Sequence, residues 1–200
     1  MMRVLARASE GLDKIVPEFC PSICHAVFVS MPESDGKRLR FRFTIGGVPV
    51  TVAIQTVHSR KLAAVRREVA PGAVGSEWGP AIDKVWPFIR SQNGLWTSGH
   101  NIFLYHHPRR PGAPILCDFG VEVTRTFETT GEVYATETPE GEAAVAVHCG
   151  PYNRINEAHD AIRKWMAANR RESAGHSWEI YGDPTPDPAD TETTVVYLLK

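Results

Sequence analysis

The feature that most constrains this 200-residue chain is that it resembles itself. The segment Val52 to Arg66, VAIQTVHSRKLAAVR, aligns without a gap onto Val133 to Val147, VYATETPEGEAAVAV. Each copy holds two strand-like stretches joined by polar residues, His58-Ser59-Arg60 in one and Pro139-Glu140-Gly141 in the other. An interruption of that kind predicts a bulge or kink in one long strand. A turn and an amphipathic helix follow in both copies. In the first, Ser76 is the expected N-cap and Pro80 lies in the opening turn, where proline is tolerated. Trp78, Ile82, Val85, Trp86 and Ile89 mark its apolar face, and Pro87 is expected to kink or shorten it. In the second, Ile155, Ala158, Ile162, Trp165 and Met166 form a helical stripe, with Ile162 and Trp165 expected in the core.

The copies converge again after the helices. Ile102 to Pro108, IFLYHHP, aligns with Trp178 to Pro184, WEIYGDP, so Phe103 matches Glu179 and Tyr105 matches Tyr181. Closing strands are expected at Phe119 to Thr126 and at Thr193 to Leu199. The expected architecture is therefore α+β, a tandem pseudo-two-fold repeat of strand–helix–strand–strand units. The copies span 50–126 and 132–200, after an N-terminal extension over 1–49. Two such units pack naturally about an axis, and a central groove along it is a natural ligand site.

Glu179 is the anomaly within this pattern. It lies in a half-buried strand between Trp178 and the pair Ile180-Tyr181. An unpartnered buried charge costs roughly several kcal/mol even after relaxation, so something must meet it. Strand alternation puts Glu179 and Tyr181 on one face and Trp178 and Ile180 on the other. The repeat adds Phe103 and Tyr105 at the equivalent positions, which gives three aromatics and one carboxylate on related faces.

Charge is distributed unevenly along the chain. Residues 1–110 carry 15 Lys/Arg against 8 Asp/Glu, and residues 111–200 carry 7 against 15. An acidic C-terminal half argues against nucleic acid docking there and suits a cationic or neutral ligand. The basic run Lys37-Arg38-Leu39-Arg40-Phe41-Arg42 reads as a strand with a solvated basic face. No stretch reaches the ~20 apolar residues of a membrane span. The N-terminus lacks the apolar core of a secretory signal, so a cytoplasmic location is expected. Cys20, Cys24, Cys117 and Cys149 do not repeat in zinc-site spacing, so no metal and no cofactor is expected.

The elements LAAVR (62–66), IFLYHHP (102–108), HCGPYNRI (148–155), SWEIYGDP (177–184) and TETTVVYLLK (191–200) resemble, in this order, the GyrI-like small-molecule-binding domain. This family is also called the bacterial effector-binding domain and occurs at the C-termini of multidrug-responsive transcription activators. The resemblance covers about residues 50–200. It implies two strand–helix–strand–strand units around a pocket for cationic or amphipathic aromatic molecules. It also implies that a glutamate contacts the ligand, which falls on Glu179, and that Tyr152 lies at the pocket margin. No helix-turn-helix pattern precedes residue 50, which argues against a transcription activator.

Three functional classes follow. The first is a binding domain for drugs or toxins, with Glu179, Tyr181, Tyr105, Phe103 and Tyr152 as ligand-binding residues. Its basis is a desolvated carboxylate helped by cation–π attraction of roughly 0.5–2 kcal/mol per ring. The hydroxyls of Tyr105 and Tyr181 are expected to hold the carboxylate when the pocket is empty. The second is a hydrolase, because stand-alone members open electrophilic molecules such as cyclopropane-bearing genotoxins. There Glu179 would be the catalytic base, with a pKa expected to be raised by burial. The third is a gyrase inhibitor, for which no surface feature stands out and no protein partner is assigned. His107 is expected to be exposed and His148 to be structural in the HCGPY turn.

Overall fold

A computed structural model describes residues 40–45, 48–110 and 112–200, with side chains from residue 50 onward except at 97 and 98. The polar interruptions seen in the sequence are real breaks in two long strands. β2 (Val48–Val57) stops at His58 and resumes as β3 (Lys61–Val69). β6 (Tyr134–Glu137) stops at Thr138 and resumes as β7 (Gly141–Cys149). The two broken strands run antiparallel in one register across both breaks, from Val52 opposite Ala146 to Ala64 opposite Tyr134. The breaks are tied together: Thr138 N donates to Arg60 O at 3.0 Å, and Arg60 N donates to Thr138 Oγ1 at 3.0 Å.

The remaining elements are β1 (Arg40–Ile45), α1 (Val74–Ser91), β4 (Trp96–His106), β5 (Ile115–Val123), α2 (Asn156–Ala168), β8 (Ser173–Tyr181) and β9 (Glu192–Leu199). Among the described residues nine antiparallel strands form one sheet in the order β1-β2-β7-β9-β8-β4-β5-β3-β6. β4 and β8 lie side by side within it. Stepping away from them meets β5 on one side and β9 on the other, then β3 and β7, then β6 and β2. Exchange of one half for the other therefore preserves the order. In the β4–β8 register Phe103 lies directly opposite Glu179. These are equivalent residues of the repeat, so the pseudo-two-fold axis passes between them.

Both helices cover one face of the sheet. Ala81, Ile82, Val85 and Ile89 of α1 pack on Phe103, Tyr105, Phe119 and Val121. Ala158, Ala161, Ile162, Trp165 and Met166 of α2 pack on Val52, Ala144, Val195 and Tyr197. Tyr181 touches both clusters and so lies under the seam between the helices. The other face is apolar too. Leu62, Ile102, Leu104, Ala143, Val145, Trp178 and Val196 form a single cluster. β3 and β7 stand five strand spacings apart, about 24 Å in a flat sheet. Their side chains meet because the sheet curls around this second core.

Three expectations about local structure change. β5 starts at Ile115 and ends at Val123, earlier than the alternation at 119–126 implies. α1 begins at Val74, so Ser76 lies inside the first turn; its hydroxyl donates to Ala73 O at 2.9 Å and caps nothing. Pro80 and Pro87 are both interior to α1, and the helix continues to Ser91. An interior proline costs about 3 kcal/mol. Burial of Ile82, Val85 and Ile89 returns roughly 1.5–3 kcal/mol each, of the order needed to offset both prolines. Ser76→Ala is accordingly expected to change stability by only a few tenths of a kcal/mol, against about 1 kcal/mol for a true N-cap. Urea denaturation of the two proteins separates these outcomes.

The basic run at 37–42 enters the sheet as β1 from Arg40, while the N-terminal extension up to residue 39, with Cys20 and Cys24, lies outside the described residues. Cys117 is buried, and burial pushes its thiol up to about 12. No group of His, Cys, Asp and Glu among the described residues has the geometry of a metal site. No described helix is long and apolar enough to cross a membrane.

Candidate functional site

The strand pair at the axis projects alternate residues toward the helices. Phe103 and Tyr105 of β4 meet Glu179 and Tyr181 of β8 there. Phe103, Tyr105 and Glu179 are buried and Tyr181 nearly so. The Tyr105 hydroxyl donates to Glu179 Oε2 at 2.7 Å, and the Tyr181 hydroxyl donates to the same oxygen at 2.5 Å. The other oxygen, Oε1, is bonded by His159 Nε2 at 2.7 Å.

His159 comes from α2 and links the carboxylate outward. Its Nδ1 is 3.0 Å from the Tyr197 hydroxyl, which accepts from Arg163 Nη1 at 3.1 Å. Arg163 lies one helical turn beyond His159 and also donates to Asp160 at 2.6 Å. With the imidazole neutral, one proton arrangement satisfies the whole chain: Arg163 donates to Tyr197, Tyr197 to His159 Nδ1, and His159 Nε2–H to Glu179. His107 joins from the end of β4. Its Nε2 is 2.7 Å from Ser177 Oγ and its ring stacks on Tyr197 at 5.9 Å. His107 is therefore half-buried and engaged, not exposed, and its own burial lowers its pKa.

These contacts reverse one expectation about charge. Burial pushes the Glu179 carboxyl upward and is the largest single influence, but the bonds from His159, Tyr181 and Tyr105 together outweigh it and hold the group below its ordinary value. Glu179 is thus an ionised, fully partnered carboxylate. The same contacts raise Tyr105 and Tyr181, first through burial and then through the neighbouring negative charge, so both stay protonated donors.

Above the carboxylate runs a row of aromatic rings. Trp78, in α1, lies 6.2 Å from Phe103; Phe103 lies 4.7 Å from Tyr181; Tyr181 lies 5.5 Å from Tyr152. The inner pair is buried or nearly so, while Trp78 is 44% and Tyr152 51% exposed. Tyr152 is presented by the HCGPY turn. There His148 Nε2–H donates to Pro151 O at 3.1 Å, and Gly150 takes φ of 139°, a conformation other residues rarely adopt. A cleft of about 280 Å³ lined by Pro151, Tyr152, Pro184, Thr185, Pro188 and Thr191 adjoins it.

The residues singled out from sequence thus meet at one place: Glu179, Tyr181, Tyr105 and Phe103 at the axis, with Tyr152 at the rim. Residues 51–199 match the GyrI-like small molecule binding domain. The chain belongs to this family. The C-terminal domain of EcmrR has the same fold at a TM-score of 0.63 and 18% identity, over 76% of this chain and 98% of that one. SAV2435, solved with bound tetraphenylphosphonium, aligns at 0.58 and 10% identity over 74% and 93%. A hydrolase from Listeria innocua aligns at 0.51 and 14% identity over 74% and 91%. Among curated proteins none matches the sequence.

Sequence reasoning missed His159, Tyr197 and Trp78. Trp78 was assigned to the apolar face of α1, yet it stands at the edge of that face and reaches the axis. His159 follows Ala158 and precedes Ile162 by three residues, so it borders the apolar stripe of α2. A polar ring at the margin of such a stripe is the signal that could have found it.

Proposed function

We propose that this GyrI-like chain binds organic cations or amphipathic aromatic molecules between Trp78 and Tyr152, over the Phe103–Tyr181 pair. The observation that carries this is the ionised Glu179 lying beside Phe103 and Tyr181 of that aromatic row. Both carboxylate oxygens are already occupied by donors, so its charge acts through the field of a dry site instead of by a direct hydrogen bond. Ring faces supply the contact, at roughly 0.5–2 kcal/mol each for a cation. A site of this kind on a small chain suits sequestration or sensing of drugs and toxins. SAV2435 binds such a cation, tetraphenylphosphonium, which makes it the natural probe.

Titration of tetraphenylphosphonium against intrinsic tryptophan fluorescence tests the reading. A saturable change is expected, with Trp78→Ala weakening the affinity by about 3- to 30-fold. Because Trp78 is 44% exposed, the same variant should retain its fold. Absence of saturable binding, or full affinity in Trp78→Ala, removes the proposal.

One observation favours a hydrolase as the second reading. The ionised Glu179 carboxylate beside the aromatic rings can accept a proton from an attacking water, which general base catalysis needs. An electrophilic aromatic substrate should then be converted to a hydrated product, with loss of conversion but not of binding in Glu179→Gln.

A further inference from the structure

The face of the β4–β8 pair turned away from the helices carries a second polar cluster. Asp118 of β5 is buried without any exposed surface. Arg66 grips it through two bonds of 2.7 and 2.8 Å, Tyr134 OH donates at 2.5 Å, and His106 Nε2 lies 2.7 Å from Oδ2. Burial alone would raise the Asp118 carboxyl, but Arg66, His106 and Tyr134 together hold it far below the ordinary range, so it is a permanent anion. An anionic oxygen at 2.7 Å requires a proton on His106 Nε2. Arg66 Nη2 approaches that nitrogen at 3.4 Å only because both donors share the same oxygen. A neutral His106 therefore carries its lone pair on Nδ1.

That nitrogen is unused. His106 Nδ1 forms no hydrogen bond among the described residues. Buried polar atoms lacking a partner include His176 Nδ1 but not His106 Nδ1, so the latter reaches solvent. It does so at a depression of about 560 Å³ lined by Leu104, His106 and His176 on one side and by Ser59 and residues 137–140 of the strand breaks on the other. The His176 ring stands edge-on to His106 at 5.1 Å. Burial lowers its pKa, so the His176 ring is neutral at pH 7. The charges at the rim are Glu137 and Glu140. Lys61 lies opposite Glu137 in the β3–β6 register, while Arg60 pairs with Glu122 and Arg66 with Asp118. Glu140 forms no ion pair among the described residues.

We propose that this depression is a second ligand site, on the face opposite Glu179, which takes a primary ammonium group. Its N–H bonds point to His106 Nδ1 and its charge to the Glu140 carboxylate, with the apolar part of the ligand on Pro139. Donor and charge are both required. The His106 lone pair accepts an N–H bond and the Glu140 carboxylate supplies the opposite charge, a pairing that favours an ammonium over an anion.

The test is a titration of ¹⁵N-labelled protein with n-butylammonium at neutral pH, read on the imidazole nitrogens. In the free protein His106 Nε2 should give an N–H type signal and Nδ1 a lone-pair type signal. Butylammonium should shift the Nδ1 signal saturably, and tetramethylammonium, which has no N–H, should not. Glu140→Gln, at an exposed position, should weaken the shift at least tenfold, and His106→Gln should abolish binding. Glu179→Gln should leave it unchanged. A protonated Nδ1 in the free protein, a shift that does not saturate, an equal response to tetramethylammonium, or full affinity in Glu140→Gln overturns the proposal.

Discussion

Glu179→Gln is expected to lower affinity for tetraphenylphosphonium by on the order of 10- to 100-fold and to destabilise the folded chain by about 2 kcal/mol. The affinity falls because the charge is removed, and the stability falls because of the three donors. Tyr105 and Tyr181 share one oxygen and His159 takes the other, so an amide must turn its NH₂ toward hydrogen atoms on one side or the other. At least one buried donor then loses its acceptor. The stability effect has a defined pH dependence. The folded-state pKa of Glu179 lies below its ordinary 4.5. Its ionisation therefore contributes stability that is present above the unfolded value and lost as pH falls through the folded one. The gap between wild type and Glu179→Gln in urea denaturation should be full at pH 7 and shrink in acid below about 4.5. A gap that widens in acid would mean that the carboxyl is protonated in the native site, as simple burial would have it.

That last point marks where the sequence stopped being informative. The repeat was legible because it needs only alternation and turn chemistry. Residues 58–60 and 139–141 interrupt the apolar alternation, and the strands break at 58–60 and 138–140. The equivalence of Phe103 and Glu179 was legible for the same reason. Their direct pairing across β4 and β8 was not, because alignment says nothing about which strands become neighbours. The charge state of Glu179 was misread because its decisive partner comes from α2. His159 reaches the carboxylate through the rotation of that helix on the sheet, which Ile162 and Trp165 set by packing. Trp78 escaped for a related reason, since an apolar stripe does not reveal which of its members stand at the margin. Ser76 shows the opposite error. Its residue type fits a cap, but Val74 and Gly75 already belong to the helix.

Both faces of the sheet carry a buried carboxylate near its axis, Glu179 on β8 and Asp118 on β5, and the two are solved differently. Glu179 is held by two tyrosines and a histidine, with no Arg or Lys bonded to it among the described residues. Asp118 is neutralised on the spot by Arg66. A site meant to attract a cation benefits from the first arrangement. A carboxylate meant to fix the proton on a neighbouring ring needs only to stay ionised, which the second ensures.

The difference should appear in the response to Asp118→Asn, for which a loss of about 3 kcal/mol is expected. Removing one member of a buried pair commonly costs 3–5 kcal/mol. The value here falls at the lower end because the Arg66 side chain is 45% exposed and can turn to solvent. The asparagine would still face four donor contacts with one acceptor oxygen, leaving Tyr134 or His106 unsatisfied. In wild type the folded-state pKa of Asp118 lies far below its ordinary 3.8. The stabilisation is therefore present in full above that value and drains away only as pH falls through the much lower folded one. Wild type should accordingly keep its full advantage over Asp118→Asn down to about pH 3.8 and lose it only below that. Affinity for tetraphenylphosphonium should be unaffected in the folded Asp118→Asn protein, since the sheet separates the two carboxylates. In the same variant the imidazole of His106 is released from its fixed tautomer, so its Nδ1 signal should lose lone-pair character. An unchanged His106 spectrum would show that Asp118 does not set the proton on that ring.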